Sequence, residues 1–473
     1  MDTNETGAGI HLAGANVYHA HRWKNTSLSV GMEYANLEPY FRLIPQRTEW
    51  TKSPESYSSE FIFRHKFSKK DMLKIYLLGS LSELGMYYHD ISNDSIIKNP
   101  FKLNNQNFYL NTSYKRICSD KLIIFTGISY AADADDMNQG ILPIKTNEKM
   151  LQGKFILTRY FQKNHSLKLG AEIQNTDNTI IYDIHKGDIH ETYTALFAEM
   201  NNRMGSRFAS RAGLRMVSSS LSGEIKCAPR ISFSYITGLN SQVSVAYGMF
   251  YQMPEDSLRY QFNKTKFESA EHLIANYQWT GDERVLRVEG YYKKYQNLFM
   301  NTPESPNFNN NGKGYATGID IFWRDEKTIA NSDYWISYSY IDTKRHYRRY
   351  PEILKPDFIS DHNISLVYKY NIQKLSTTVG GTYTLSSGRT FYVLTASEVL
   401  KSETTPYYNN LSFSVSKVAS VFGNFAVFYA AVYNVMNREH VFAYRYSPDG
   451  NSRLSVGPTN LRSFFVGCFI SFR

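Results

Sequence analysis

The chain is 473 residues long and carries 53 Lys and Arg against 43 Asp and Glu, a net charge of +10. Its mean hydropathy is −0.43 and no apolar run approaches the roughly 18 residues of a spanning helix, which excludes a helical membrane protein. Three widely spaced cysteines, Cys118, Cys227 and Cys468, exclude a disulfide framework or zinc-binding Cys pairs, and scattered basic residues with no recognisable module argue against nucleic acid.

Tyrosines number 37 and phenylalanines 29, against 14 prolines. That balance suits strands and membrane–water interfaces, where an apolar ring carries a wet hydroxyl. The opening Met1-Asp2-Thr3-Asn4-Glu5-Thr6 is polar and acidic and does not read as a signal peptide. For an exported chain this implies that the signal was removed, or that the sequence begins inside a longer precursor.

Period-2 alternation then dominates, and helical periodicity is nearly absent. Gly9 to His21 reads as one strand. Tight turns rich in Asn, Asp, Gly, Ser and Lys follow at Lys24-Asn25, Ser68 to Asp71, Ser119-Asp120, Gln162 to His165 and Asn201 to Ser206. They continue at Thr237 to Ser241, Thr280 to Glu283, Asp325 to Ser332, Asn371 to Gln373 and Val418 to Gly423. One longer polar stretch separates each from the next: 43–56, 89–104, 134–148, 177–190, 219–225, 253–268, 298–314, 344–360 and 386–407, with 435–460 after the last. Between connections the two faces differ. Leu273, Ala275, Tyr277 and Trp279 oppose His272, Asn276 and Gln278, with Ile274 an apolar exception on the polar face; Leu286, Val288 and Tyr292 oppose Arg287, Glu289, Tyr291 and Lys293. Ile319, Ile321 and Trp323 oppose Asp320, Phe322 and Arg324.

Short and long connections alternate to the end. A soluble Greek-key sandwich has no reason to keep that order, whereas outer-membrane barrels carry short periplasmic turns and longer extracellular loops. The expected fold is therefore all-β: an antiparallel up-and-down transmembrane β-barrel over 1–473, a single domain of about 21–22 strands in the cell outer membrane. Trp23, Phe67, Tyr160, Phe161, Tyr235, Trp279, Trp323, Tyr370 and Phe422 sit beside short turns, as an aromatic girdle at the periplasmic rim requires. The last strand, Leu461 to Phe472, follows a long loop and ends in the periplasm. Counting back puts the start of Gly9 to His21 on the extracellular side. About 21 visible strands and one absent first strand then give about 22, the size of plugged transporters.

No GxSxG, HExxH, CxxC or Walker motif stands in a plausible context, so neither catalysis nor a cofactor is expected. Asp133, Asp135 and Asp136 read as solvated loop charges or caps of local turns, with a calcium site the minor alternative. His185 and His190, with Asp183 and Asp188, lack a recognised ligand spacing for a metal. The densest basic–aromatic run is Lys344, Arg345, His346, Tyr347, Arg348, Arg349 and Tyr350, in an expected extracellular loop. It suits capture of an anionic ligand, such as a ferric siderophore or an acidic glycan, by charge-assisted hydrogen bonds and stacking. Contact with lipopolysaccharide phosphates and outer-membrane lipid is the plainer alternative.

Four passages resemble the barrel of TonB-dependent receptors, in particular those of Bacteroidetes. Gly7-Ala8-Gly9-Ile10 through Pro39-Tyr40-Phe41 is similar to the family's early hairpin. Asn311-Gly312-Lys313-Gly314-Tyr315-Ala316-Thr317-Gly318-Ile319-Asp320 is similar to a strand opening. Val432-Tyr433-Asn434-Val435-Met436-Asn437 resembles the end of the penultimate strand, and Arg462-Ser463-Phe464-Phe465-Val466-Gly467 through Phe472 the closing strand. The resemblance implies uptake of a bulky nutrient with TonB-coupled energy in a complete receptor. It also implies a plug domain and TonB as partners, with a surface lipoprotein a further partner to expect. Arg287, Glu289, Lys293, Asp320 and Arg324 would face that plug. The family's signal peptide, TonB box and plug are expected to be absent from this sequence, which ends Phe472-Arg473 rather than on an aromatic residue. A passive porin-like channel and a non-transport surface-binding barrel are the competing functions.

Overall fold

The computed structural model describes residues 4–92, 95–162, 165–255, 259–260, 265–301, 309–394, 399–447 and 450–472. The chain opens with β1 (Glu5–His11), β2 (Gly14–Arg22) and β3 (Thr26–Asn36), followed by a short helix α1 (Glu38–Leu43). Seven long strands come next: β4 (Glu49–Lys66), β5 (Asp71–Ser92), β6 (Ser95–Ser119), β7 (Leu122–Gln139), β8 (Leu142–Gln162), β9 (His165–Tyr182) and β10 (His185–Met204). Shorter ones succeed them: β11 (Phe208–Ser219), β12 (Ile225–Ile236), β13 (Ser241–Gln252), β14 (Glu268–Gly281), β15 (Arg284–Met300), β16 (Asn309–Asp325), β17 (Ser332–His346), β18 (His362–Ile372) and β19 (Thr377–Ser386). The remainder is a loop hairpin β20 (Thr390–Leu394) and β21 (Val399–Thr404), then β22 (Tyr408–Val421) and β23 (Asn424–Tyr433), a second loop hairpin β24 (Ala443–Tyr446) and β25 (Arg453–Val456), and β26 (Ser463–Phe472).

Apart from the two loop hairpins, all strands join one 22-stranded antiparallel sheet. It closes where β1 pairs with β26, Thr6 opposite Phe472 and His11 opposite Gly467. Apolar side chains alternate outward around the ring. Val17, Met32, Leu196, Leu214, Met216, Leu273, Ile336, Leu366, Val415 and Val466 are all exposed, as lipid-facing positions of a barrel are. Trp23, Phe67, Tyr160, Phe161, Tyr235, Tyr370 and Phe422 are exposed beside the short turns, and Trp279 stacks parallel to Trp323 at 6.4 Å. The tight turns lie where their residue types point. Asp282 and Glu283 both have positive φ, as do Phe422 and Gly423, the backbone of a two-residue hairpin turn matched to strand twist. Of the turn Gln162 to His165, residues 163–164 lie outside the described residues.

Two expectations need correction. The first concerns Gly9 to His21, which is two strands and not one. β1 turns at Leu12-Ala13 into β2, and the pair is in register from Glu5 opposite Ala20 to His11 opposite Gly14. The strand taken as absent is therefore present, and the described chain starts at the short-turn rim. Leu12 and Ala13 carry no turn signature, so the alternation reads straight through them. Their backbone is nonetheless tied to both flanks: Leu12 N donates to Val466 O at 3.1 Å and Asn36 N to Ala13 O at 2.7 Å. At the other end of the seam, Glu5 accepts hydrogen bonds from Tyr18 Oη at 2.7 Å and Ser471 Oγ at 2.8 Å.

The second correction concerns the stretches 89–104, 134–148 and 177–190, which are mostly strand. β5 and β6 pair without interruption to Ser92 opposite Ser95, β7 and β8 to Gln139 opposite Leu142, and β9 and β10 to Tyr182 opposite His185. Crossing a bilayer needs about 9–11 residues, so the surplus raises a sheet roughly 25 Å beyond it. Both faces of such a sheet are wet, so the apolar alternation that marks a half-buried strand disappears. Asp133, Asp135 and Asp136 accordingly stand on β7 and not in a loop, with Asn105 Nδ2 donating to Asp135 at 2.8 Å.

Asn434 shows why the penultimate strand ends as it does. This residue is 3% exposed and sits in the left-handed region at φ 50°. Its Nδ2 donates to Arg438 O at 2.8 Å and Leu461 O at 2.7 Å, and its Oδ1 accepts from Arg438 N at 3.0 Å. One side chain thus pins both ends of the last long loop. Asn434→Ala should cost about 1–3 kcal/mol by stranding those backbone groups, read as a lower temperature for loss of the compact band on heat-modifiable gels. At the seam, a Cβ on Gly9 would lie 2.3 Å from Asn16 Oδ1 and 2.6 Å from Phe469 Cδ1. Gly9→Leu should therefore destabilise the closed barrel by about 1–3 kcal/mol through overpacking, while deletion of Glu5–His11 should abolish the compact band outright.

Candidate functional site

The site begins with three neighbouring strands. On the inner face of β16 the residues are Gly312, Gly314, Ala316 and Gly318, an almost bare ribbon. Gly314 pairs on one side with Tyr295 of β15 and on the other with Arg345 of β17. A Cβ on Gly314 would sit 2.6 Å from Lys344 O and 2.8 Å from Arg345 Cγ. Glycine leaves that space open, and the Arg345 guanidinium lies 4.4 Å from the centre of the Tyr295 ring. Tyr347 and Phe358 flank the same guanidinium at 5.7 and 5.9 Å. Its Nε is buried without a hydrogen-bond partner, and among the described residues no carboxylate forms a salt bridge with it. A cation held by rings and left uncompensated is a prepared anion site.

Arg348 is fixed differently. Its N donates to Phe299 O at 2.7 Å and its O accepts from Asn301 N at 2.9 Å, which locks the loop onto the end of β15. That double contact requires φ 54°, a left-handed conformation costing a non-glycine residue of order 1–2 kcal/mol. Its side chain pairs with Glu255. Together with Phe250, Glu268, His272, Lys293, Tyr295, Tyr347 and Phe358, the two arginines line a cavity of about 650 Å³ at the long-loop end of the lumen. Burial raises the Tyr347 phenol, against the pull of Arg348 and Arg345, and pushes Tyr350 up further. Both therefore stay protonated donors at neutral pH.

The sequence run is thus divided by the fold. Lys344, Arg345 and His346 belong to the end of β17, and only the rest is loop. Arg345, Tyr347 and Arg348 converge on the cavity. Tyr350 is buried, meeting Tyr347 at 5.2 Å and Tyr392 at 6.1 Å. Lys344 alternates to the outer face and, like Arg349, is exposed; His346 is half-buried, away from the cavity. Of the five inner-face charges, Lys293 lines the cavity. Arg287 pairs with Glu289 at 2.7 Å, and Arg324 holds Asp333 in a two-pronged bond at 2.8 and 3.0 Å. Asp320 stands opposite Glu289 and Ser339. These four run down the wall toward the short-turn rim. His190 lies 3.2 Å from Asp177 with both side chains largely exposed, and Asp188 is held by Lys186 and Thr179. Among the described residues no group of three or more His, Cys, Asp or Glu could hold a metal ion.

Glu255 and Glu268, Tyr295, His272 and Phe358 are cavity residues that sequence reasoning passed over. Glu268 and His272 share β14 and Tyr295 lies on β15, where inward parity was the available signal; Glu255 and Phe358 lie outside the strands, where parity gives none. The stretch 253–268 also does more than connect. Arg259 pairs with Glu191 at 2.5 Å, the two side chains only 10% and 6% exposed, and Ser219 Oγ donates to the same carboxylate at 2.5 Å. Phe267, 1% exposed, packs on Ala195 and Val217 of the inner wall. Arg259 and Phe267 are thus buried against the inner wall at the barrel mouth.

Comparison with known proteins places this architecture. None of the curated proteins matches the sequence. Among solved structures, the outer-membrane transporter YddB from Escherichia coli aligns with 100% of this chain and 81% of its own length, at 12% identity and a TM-score of 0.77. The ferric yersiniabactin uptake receptor FyuA from Yersinia pestis covers 99% of this chain and 80% of its own, at 11% identity and 0.77. BauA, the ferric preacinetobactin receptor from Acinetobacter baumannii, covers 100% and 80%, at 10% identity and 0.78. At such identity the likeness is one of fold. The sequence model described as "TonB dependent receptor-like, beta-barrel" matches residues 16–435, and the chain belongs to the β-barrel family of TonB-dependent receptors.

Proposed function

We propose that this barrel imports a bulky anionic nutrient across the outer membrane, with TonB-coupled energy in the assembled receptor, and that the ligand docks on Arg345 at the extracellular mouth. The observation that carries the reading is the uncompensated Arg345 guanidinium, ringed by Tyr295, Tyr347 and Phe358 within a 650 Å³ cavity. A ferric siderophore fits the chemistry, since such complexes present oxyanions and flat aromatic or chelate faces together. Two structural neighbours are themselves receptors for ferric yersiniabactin and ferric preacinetobactin. Arg287, Glu289, Asp320 and Arg324 lie deeper, where a plug would meet them, and already hold part of their charge in pairs. A plug docks on such a wall by exchanging hydrogen bonds more than by supplying missing counter-ions.

Growth of cells under iron limitation, with single ferric siderophores as the iron source and the receptor gene present or deleted, tests the function. Growth on one compound that depends on the gene supports it; gene-independent growth on every siderophore and acidic glycan supplied would refute it. Arg345→Ala should weaken binding of the transported compound about 10–100-fold, the worth of one charge-assisted hydrogen bond, with an unchanged compact band. Gly314→Val should do the same without touching a charge, by driving Arg345 off Tyr295. Equal affinity in both variants and the native protein, measured by titration calorimetry, would place the ligand elsewhere.

A further inference from the structure

The two arginines of the cavity differ in one respect: among the described residues Arg345 has no carboxylate partner, whereas Arg348 pairs with Glu255. The other cavity acid is not available to either. Glu268 Oε1 accepts from Phe299 N at 2.9 Å and its Oε2 from Gln252 Nε2 at 3.1 Å, so it is spent on the wall. The Glu255 carboxylate has Arg348 as its partner, and the pair is open to solvent, with side chains 60% and 49% exposed. An exposed pair of this kind is weak and readily exchanged. Arg259 N donates to Glu255 O at 3.1 Å, and Arg259 itself is sunk into the Glu191–Ser219 site. A pair so buried is strongly held once formed. Arg259 is therefore a firm anchor and Glu255 a loose one, and the loose one occupies the ligand cavity.

Resting on the proposed anionic ligand at Arg345, we propose that Glu255 is a specificity-determining residue: its carboxylate occupies Arg348 until an incoming ligand displaces it. A ligand with one oxyanion satisfies Arg345 and leaves Glu255 in place. A ligand with two or more carboxylate or phosphate groups bridges both arginines, and only it repays the exchange. The cavity thus selects multivalent oxyanions, and Glu255 is released when they arrive, while the Arg259–Glu191 pair stays in place.

The test uses the purified chain in detergent, with citrate as a multivalent probe and acetate as a monovalent one, followed by titration calorimetry and by hydrogen exchange of a peptide covering 253–260. In the native protein, citrate should bind at least tenfold more tightly than acetate and should speed exchange in that peptide. Glu255→Gln removes the competing charge. It should tighten citrate about three- to fivefold, the most an exposed pair can withhold, leave acetate within twofold, and exchange at the fast rate with or without citrate. Arg345→Ala should lose both probes. If Glu255→Gln binds citrate no better than the native protein while Arg345→Ala still loses it, the anion site stands and the counter-ion role falls. If Arg345→Ala and the native protein bind alike, or neither binds, the capture site itself is refuted and the role of Glu255 with it.

Discussion

In hydrocarbon every backbone N–H and C=O must find a partner within the protein, because an unsatisfied group costs several kcal/mol. A sheet meets that demand only by having no edge. The whole molecule therefore depends on one ladder, the pairing of Glu5–His11 with Ser463–Phe472. It joins the two ends of the described chain, so it is also the pairing with the largest loop to close. Its side chains explain how it persists. Gly7 and Gly9 face the lumen beside Tyr18 and Phe469, where no Cβ would fit, and His11 stacks with Phe465 at 5.6 Å. Glu5 then ties β1 to both neighbours. The seam is packed as closely as any ordinary strand pair, as it must be when opening it would expose two edges to lipid.

The legibility of this fold in its sequence follows from where water is. Between the rims, one face of each strand meets lipid, so Leu286, Val288 and Tyr292 separate cleanly from Arg287, Glu289 and Lys293. The alternation of short and long connections follows from the up-and-down path, which returns the chain to each rim in turn. Above the bilayer both faces are wet, and the strands through 89–104, 134–148 and 177–190 look like loops because nothing requires them to alternate. At Leu12-Ala13 the failure is of the opposite kind: apolar residues carry the alternation through a turn whose hydrogen bonds come from β3 and β26. A local rule could not see it, since the turn is stabilised by strands distant in sequence.

The site was half legible. Seven consecutive basic and aromatic residues, Lys344 to Tyr350, marked a place on the chain but could not say which of them point the same way. Strand parity sends Arg345 inward and Lys344 outward, and the left-handed backbone at Arg348 returns its side chain to the cavity beyond the end of the strand. The more informative signal was the glycine pattern of 312–318. Its resemblance to a family strand opening was visible, whereas its physical meaning needed both neighbours. Without side chains on β16, rings on β15 reach across it: Tyr295 meets Arg345 over Gly314, and Tyr291 leans over Gly318, where a Cβ would lie 2.5 Å from the Tyr291 hydroxyl. The motif is a gap that brings strands β15 and β17 into contact.

Exposure then sorts the ion pairs of the mouth by what they can do. Arg259–Glu191 is nearly inaccessible and carries a third hydrogen bond from Ser219, so breaking it leaves a buried charge unsolvated, a cost of about 3–5 kcal/mol. Arg348–Glu255 is half in water, where a pair contributes about 0–1 kcal/mol. The first suits a fixed support and the second a contact that is made and broken. Arg345 completes the series, since its positive charge is held by aromatic faces that accept a cation without neutralising it. Three arginines close to one loop thus span the range from permanent to exchangeable to vacant. That gradation, more than the number of positive charges, makes this part of the mouth a place where a ligand can exchange its oxyanions for those of the protein.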